Sequence, residues 1–277
     1  MTSVAYLGTS DFAVAVLERL AASAHDVALV VTRPDRPKGR GRKLSPPPVA
    51  TAAKALGLPL EQPADVHALA LEGVDALVVC AFGALIKEPL LSRYEIFNVH
   101  PSLLPRWRGA APLERAIMAG DAETGVAIMR LTAGLDEGPV YTVGSEPIRD
   151  DDDYGTLAHR LEALGAELLI AALSERPEPV EQSAAGVTYA EKIGPGDRTL
   201  DPAQPPDARE RVVRALRPHI GARIELADGA FLGVWAARVG DDGVSWHGLE
   251  LLEVQPAGGR RMPAEAWIRG HGAQLLG

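Results

Sequence analysis

Apolar residues along this chain fall into short blocks separated by turn residues, and the spacing inside each block predicts its element. Val4 to Leu7 is an apolar run followed by Gly8-Thr9-Ser10-Asp11 and the amphipathic stretch Phe12 to Ala22. That order predicts a strand, a tight turn and a capped helix. Val27 to Thr32 and Ala76 to Ala81 are continuous apolar runs bounded by polar or turn residues, as expected of strands covered on both faces in a parallel sheet. Tyr154 to Leu173 carries Leu157, Leu161, Leu164 and Leu168 at helical spacing, which predicts a long helix packed on that sheet. The fold class expected for residues 1–176 is therefore α/β, with a doubly wound, mostly parallel sheet.

The pattern changes beyond that helix. Ser174 to Ser183 is rich in prolines and charges and suits an exposed crossing, so a linker is expected over 177–200. Ala208 to Leu216 reads as a helix, while Arg223 to Leu226, Ala230 to Ala237 and Leu249 to Val254 read as strands with Gly or Asp turns between them. A small β-rich domain over 201–277 follows, with a barrel as the natural architecture. Only Asp241-Asp242-Gly243 leads into Val244 to Leu249, so the barrel is expected to be shortened there.

Composition narrows the class. The chain has 277 residues, 47% hydrophobic, 23% charged and 5% aromatic, which fits a folded globular protein and excludes disordered and collagen-like chains. One cysteine, Cys80, rules out an internal disulfide and points to a reducing compartment, with the cytoplasm as expectation. No cationic leader precedes Val4 and no stretch of about 18 apolar residues occurs, so neither a signal peptide nor a membrane span is expected.

The net charge of -9 argues against general coating of nucleic acid, so any such contact needs a local basic patch. Arg33 to Lys43 supplies one: six cations, two prolines and two glycines around a single aspartate, able to form neither a helix nor a central strand. A solvated charge run is the plainer reading of the same residues. From residue 190 onward 11 cations face 12 acids, a net of -1, so most of the negative charge lies earlier.

No phosphate loop, His-Glu-x-x-His helix or Gly-x-Ser-x-Gly elbow is present, which removes the commonest nucleotide hydrolase, zincin and serine hydrolase readings. The turn at Gly8 lacks the second and third glycines of a dinucleotide site, and reads simply as a tight turn. Histidine spacing offers no metal site.

Chemistry concentrates at Ile96 to Pro112. A strand ending at His100 places Asn98 and His100 on one face at the carboxyl edge of the sheet, where ligands gather. Downstream, Asp136 sits in a glycine-flanked turn, Ala133 to Pro139. Asn, His and carboxylate supply a hydrogen-bond donor, a titratable donor and a proton acceptor, the parts needed for acyl transfer to an attacking amine. Taken singly, Asn-x-His also suits a strand cap, and an Asp beside Gly also suits a surface turn.

The run Asn98-x-His100-x-Ser102-Leu103-Leu104-Pro105-x-x-Arg108-Gly109, followed by Asp136, resembles the signature of the folate-dependent formyltransferases. Pro34 to Leu44, Arg106 to Pro112, Gly120 to Gly125, Thr188 to Ile193 and Gln255 to Met262 are similar to the branch whose amine is the α-amino group of methionyl initiator tRNA. The resemblance implies a Rossmann-like catalytic domain and a shortened OB-like barrel that contacts tRNA. It implies 10-formyltetrahydrofolate as co-substrate and no metal. Asn98 and His100 would hold the formyl oxygen, and Asp136 would orient His100 and take the amine proton. The folate would lie along Ser102, Leu103, Leu104 and Pro105, its pterin against the backbone of Phe82, Gly83, Ala84, Leu85 and Ile86. Phosphates of the tRNA would meet Arg33, Arg36, Lys38, Arg40, Arg42 and Lys43, with Arg209, Arg211, Arg214, Arg217, Arg260 and Arg261 as further candidates. A monomer acting in cytoplasmic translation initiation, with no DNA or membrane partner, is the implied setting. A formyltransferase for sugar amines or other small molecules would use the same three side chains without needing the basic loop, and a folate- or RNA-binding module without catalysis is the reading from another class.

Overall fold

In the computed structural model, residues 1–38, 43–69, 71–272 and 276 are described, apart from the side chain of Lys38. The chain begins with β1 (Ser3–Gly8), α1 (Asp11–Ala21), β2 (Asp26–Val31), β3 (Arg36–Lys38), β4 (Lys43–Ser45), α2 (Pro48–Ala55), β5 (Leu60–Glu61) and β6 (Ala76–Cys80). It continues through α3 (Leu90–Arg93), β7 (Ile96–His100), β8 (Arg108–Gly109), α4 (Pro112–Ala119), β9 (Glu123–Arg130), β10 (Val140–Pro147), α5 (Tyr154–Glu175) and β11 (Tyr189–Ala190). The last stretch holds α6 (Pro206–Leu216), β12 (Ala222–Glu225), β13 (Phe231–Val239), β14 (Ser245–Trp246), β15 (Leu249–Pro256), β16 (Met262–Pro263) and α7 (Ala264–His271). Residues 1–108, 125–146 and 159–189 form one compact unit, and residues 109–124, 147–158 and 190–277 form a second.

The first unit is built on a seven-stranded sheet in the order β10-β9-β7-β6-β1-β2-β5. Strands β5, β2, β1, β6 and β7 run parallel, and β9 runs antiparallel to β7, so the sheet is mixed. Every residue of β6 and β7 is buried; this explains the unbroken apolar run of β6, whereas β7 buries the polar Asn98 and His100 among its apolar residues. Strand β9 is also buried from Thr124 to Met129; its charged ends and short apolar middle gave no comparable signal. Register aligns Gly8 with Cys80 and Cys80 with Val99, so β1, β6 and β7 end together and their following loops share one edge.

Helix α1 starts where Ser10 accepts a hydrogen bond from the Ala13 N–H, the expected N-cap. Its buried face is Phe12, Ala13, Val16, Leu17 and Leu20. Gly8 has a packing reason and not only a turn reason: a Cβ there would lie 2.7 Å from the Tyr6 ring and 2.9 Å from Ala13 Cβ. The Tyr6 hydroxyl donates to the Ala13 carbonyl at 2.6 Å, and Cys80 is fully buried, which pushes its thiol up to about 12.

The basic stretch differs in detail from a plain loop. Its arms β3 and β4 pair antiparallel, Arg36 with Ser45 and Lys38 with Lys43. This ribbon lies outside the seven-stranded sheet, where Pro37 removes no ladder bond from a central strand.

In the second unit, β12-β13-β15-β14 form a curled antiparallel sheet with β16 added on β15, a form compatible with a small barrel. Its core gathers Val213 and Leu216 of α6, Leu232 and Val234 of β13, Leu251 and Val254 of β15, and Trp267 of α7. Strand β14 has only two residues. Helix α6 begins earlier than its apolar pattern suggests because Pro206 occupies the first turn, a position whose N–H has no helical partner in any case.

Candidate active site

Asn98 and His100 leave the carboxyl end of β7 on the same face, with residue exposures of 8% and 4%. Asp136 arrives from the segment between β9 and β10 with its side chain 14% exposed, and its Oδ2 lies 3.7 Å from His100 Nδ1. The three residues singled out from sequence thus include a close His–Asp pair inside one unit. The opposite ring nitrogen, Nε2, is 2.9 Å from the Trp107 carbonyl. A carbonyl only accepts, so Nε2 carries a proton and Nδ1 is the ring atom left for chemistry. The Asn98 carboxamide has no hydrogen-bond partner among the described residues, leaving its two N–H donors for a guest.

Local backbone geometry sets these positions. Asp136 has φ 48° and Trp107 φ 60°, both in the left-handed region, as is Ala81 at the end of β6 with φ 43°. Non-glycine residues there carry strain of order 1 kcal/mol or more, and such strain clusters at functional sites. Gly138 lies against the Arg130 carbonyl, where any Cβ would sit 2.0 Å away, which is why the acidic turn ends in glycine. Gln182 Nε2 donates to the carbonyls of Asp136 and Gly138, both at 2.8 Å. Its Oε1 accepts from Arg108 Nε at 3.1 Å and Nη2 at 2.8 Å.

The other expected residues are distributed as follows. Phe82 and Ile86 are buried in the core cluster, while Leu85 is 72% exposed. Thr9 Oγ1 donates to the Phe82 carbonyl at 2.7 Å, and no described hydrogen bond engages the N–H groups of Gly83, Ala84, Leu85 or Ile86. Ser102 is fully buried and its hydroxyl donates to the Arg106 carbonyl at 2.7 Å, so it shapes the loop carrying Leu103, Leu104 and Pro105, which are half-buried. Arg33 is half-buried and Arg36 and Lys43 are exposed; with Thr9, Phe82 and Gly83, the two arginines line a cavity of about 300 Å³. The side chain of Lys38, and Arg40 and Arg42 altogether, lie outside the described residues.

Among the tail arginines, Arg209 is 2% exposed, which removes it from any contact surface. Arg211, Arg214 and Arg217 pair with Asp207, Glu210 and Asp153, Arg261 lies 3.3 Å from the Trp235 ring centroid, and Arg260 is exposed.

Sequence reasoning passed over Trp107, which acts through its carbonyl and so left no side-chain signal. It also read Gln182 as part of an exposed crossing, whereas that residue is half-buried. Among the described residues no group of three His, Cys, Asp or Glu could hold a metal ion, and no helix is long and apolar enough to cross a membrane.

Comparison with known proteins bears on this constellation. The sequence profile described as formyl transferase matches residues 2–173. A methionyl-tRNA formyltransferase of Halorhodospira halophila is 41% identical, covering 96% of each chain. One from Thermus thermophilus is 43% identical over 97% of this chain and 96% of its own. Among solved structures, an N-formyltransferase from Helicobacter canadensis in complex with folinic acid and dTDP-3-aminofucose shares the fold, with TM-score 0.67 at 14% identity over 92% of this chain and 95% of that one. HypX from Aquifex aeolicus in complex with tetrahydrofolic acid gives TM-score 0.67 at 16% identity, covering 100% of this chain and 48% of that one. With relatives matched end to end at such identity, the chain belongs to the methionyl-tRNA formyltransferase family.

Proposed function

We propose that this chain transfers the formyl group of 10-formyltetrahydrofolate to the α-amino group of methionine carried on initiator tRNA. The observation that carries the reading is the His100 Nδ1 to Asp136 Oδ2 approach of 3.7 Å beside Asn98 at the sheet edge. The folate brings an activated formyl carbon. The amine attacks that carbon, negative charge grows on the formyl oxygen, and the donors that meet it are the Asn98 amide and, with the ring protonated on both nitrogens, His100 Nδ1–H. Asp136 accepts the proton released by the amine, directly or through water, and as the formyl oxygen re-forms its carbonyl the formyl C–N10 bond breaks and tetrahydrofolate leaves with a proton on N10. Holding Nε2 on the Trp107 carbonyl fixes the imidazole, so its donor needs no reorientation as charge develops.

The residues present suit a folate. Phe82 and Ile86 give apolar walls, and the unengaged N–H groups of 83–86 offer the few polar contacts that a heterocycle needs. Leu103, Leu104 and Pro105 would flank it, with Ser102 holding their loop through Arg106. Arg33, Arg36 and Lys43, together with Lys38, Arg40 and Arg42, would neutralise tRNA phosphates. The domain reading is a catalytic region over 1–176, a linker over 177–200 and a shortened OB-like, tRNA-contacting region over 201–277, working as a cytoplasmic monomer.

The test is purified protein supplied with the formyl donor and charged initiator tRNA. Formyl-methionyl-tRNA is the expected product. Asn98→Ala should lower kcat by about 10² to 10³, the usual loss for one oxyanion donor. Turnover of a sugar amine with no formylated tRNA would reject the reading in favour of a small-molecule enzyme.

A further inference from the structure

The segment between α5 and β11 touches both loops that carry the catalytic pair. Val180 exchanges both backbone hydrogen bonds with Val140, at 2.8 and 2.9 Å, just after the acidic turn. Gln182 holds the Asp136 and Gly138 carbonyls through Nε2. Farther along the segment, Thr188 Oγ1 accepts the Trp107 N–H at 2.9 Å and the Thr188 carbonyl accepts the Arg108 N–H at 2.9 Å. Trp107 in turn receives the His100 ring N–H. One stretch of chain is therefore bonded to the residue that orients the imidazole and to the residue that bears the carboxylate.

We propose that Gln182 and Thr188 are positioning residues that set the separation between His100 and Asp136, an inference that rests on reading this pair as catalytic. The hydrogen bonds of both residues go to backbone groups and to Arg108, not to the His100 ring or the Asp136 carboxylate, so the influence runs through backbone. Asp136 and Trp107 are both left-handed, at φ 48° and 60°, and a left-handed non-glycine residue persists only where its surroundings fix it. One side chain, Gln182, donates hydrogen bonds to both the Asp136 carbonyl and the Gly138 carbonyl two residues on. Without them the turn relaxes toward ordinary backbone angles and the carboxylate swings with it. A misplacement of about 1 Å is enough to lower a rate by about 10².

The choice of glutamine follows from the partners. Carbonyls at 136 and 138 demand two donors, and Arg108 demands an acceptor. Only a primary amide serves both at once, and this assigns Nε2 to the carbonyls and Oε1 to the guanidinium. Glutamate in the same place would keep, and strengthen, the contact with Arg108, but would turn an acceptor toward the two carbonyls. Gln182→Glu thus separates anchorage of the segment from its grip on the turn.

The decisive measurement compares steady-state kinetics of Gln182→Glu, Thr188→Val and Asp136→Asn with the parent enzyme, alongside thermal melts. Gln182→Glu should lose about 30- to 100-fold in kcat, with KM for formyl donor and tRNA within about twofold and the melting temperature unchanged or raised. Thr188→Val, which leaves the Trp107 N–H without its acceptor, should lose about tenfold in kcat with the same constancy of KM. If Asp136→Asn is inactive while both other variants keep parental kcat, positioning is overturned and the catalytic pair stands. Parental kcat in Asp136→Asn overturns the pair itself. A fall in kcat that comes with rising KM for both substrates and a lower melting temperature in both Gln182→Glu and Thr188→Val marks a scaffold role only, and also overturns the proposal.

Discussion

Among the described residues two arginines are nearly removed from solvent, Arg108 at 9% and Arg209 at 2% exposure, and their surroundings differ sharply. Arg108, in the first unit, gives two guanidinium donors to Gln182 and so joins the network that ends at the Asp136 turn. Arg209, in the second unit, gives one donor to the His247 carbonyl at 2.5 Å and packs 5.2 Å from the Trp246 ring centroid, while its Nε and Nη1 are buried without hydrogen-bond partners among the described residues. Burial holds the Arg209 guanidinium below its ordinary value, with Asp201 opposing the shift. A buried charge is expensive unless its donors are met. The contrast separates a buried charge that organises a site from one that the fold merely tolerates.

The largest effect expected on this comparison is from Arg108→Met. It strips Gln182 Oε1 of both donors, and a buried acceptor left unsatisfied costs about 1–3 kcal/mol. The melting temperature should fall, and kcat should fall by about 10² as the segment carrying Gln182 loosens its hold on the turn. Parental activity and stability in this variant would remove Arg108 from the organising role. Arg209→Met is the mirror experiment. It exchanges one hydrogen bond and a ring contact for relief of two unpaired buried donors, so stability should stay level or rise by about 1 to 2 kcal/mol in denaturant titration. A loss of several kcal/mol would show that Arg209 has partners of the same worth as Arg108, and the contrast would fail.

Neither arginine's environment was legible in the sequence, and the reason is general. Apolar periodicity reports which face of an element is buried, so β1, β2, β6, α1 and α5 emerge within a few residues of their observed bounds. Asn98 and His100 follow from the same rule, because alternation along a strand fixes two polar side chains on one face. Asp136 drew notice only through its glycine-flanked turn and a family resemblance; its meeting with His100 depends on a non-local fold. Gln182 lies farther from any periodic signal, in a run of prolines and charges that reads as solvent-exposed. The partners of its amide come from residues 74 and 46 positions away, and no local pattern encodes that. Arg209 sits on an amphipathic helix whose charged positions usually face water, so its burial is a tertiary override of the pattern.

The smallest expected effect concerns a buried group that can remain neutral. Cys80 is fully buried beside Tyr6, and burial, the largest cause, pushes its thiol up to about 12. Its ordinary value is 9.0, so the folded state retains the proton that an unfolded chain releases. The stabilisation is complete below the unfolded value and is lost as pH rises from about 9 toward 12, at most about 1.4 kcal/mol per pH unit for one group. Tyr6, also raised by burial, acts in the same direction. Denaturant titrations of the parent and of Cys80→Ala at pH 8 and pH 10.5 isolate the thiol. The parent should lose more stability over that interval, and its thiol should resist alkylation at pH 8 until denaturant is added. Equal losses in the two proteins would mean that the thiol ionises in the folded state as readily as in the unfolded one, and that its burial carries no penalty of the kind that distinguishes Arg209 from Arg108.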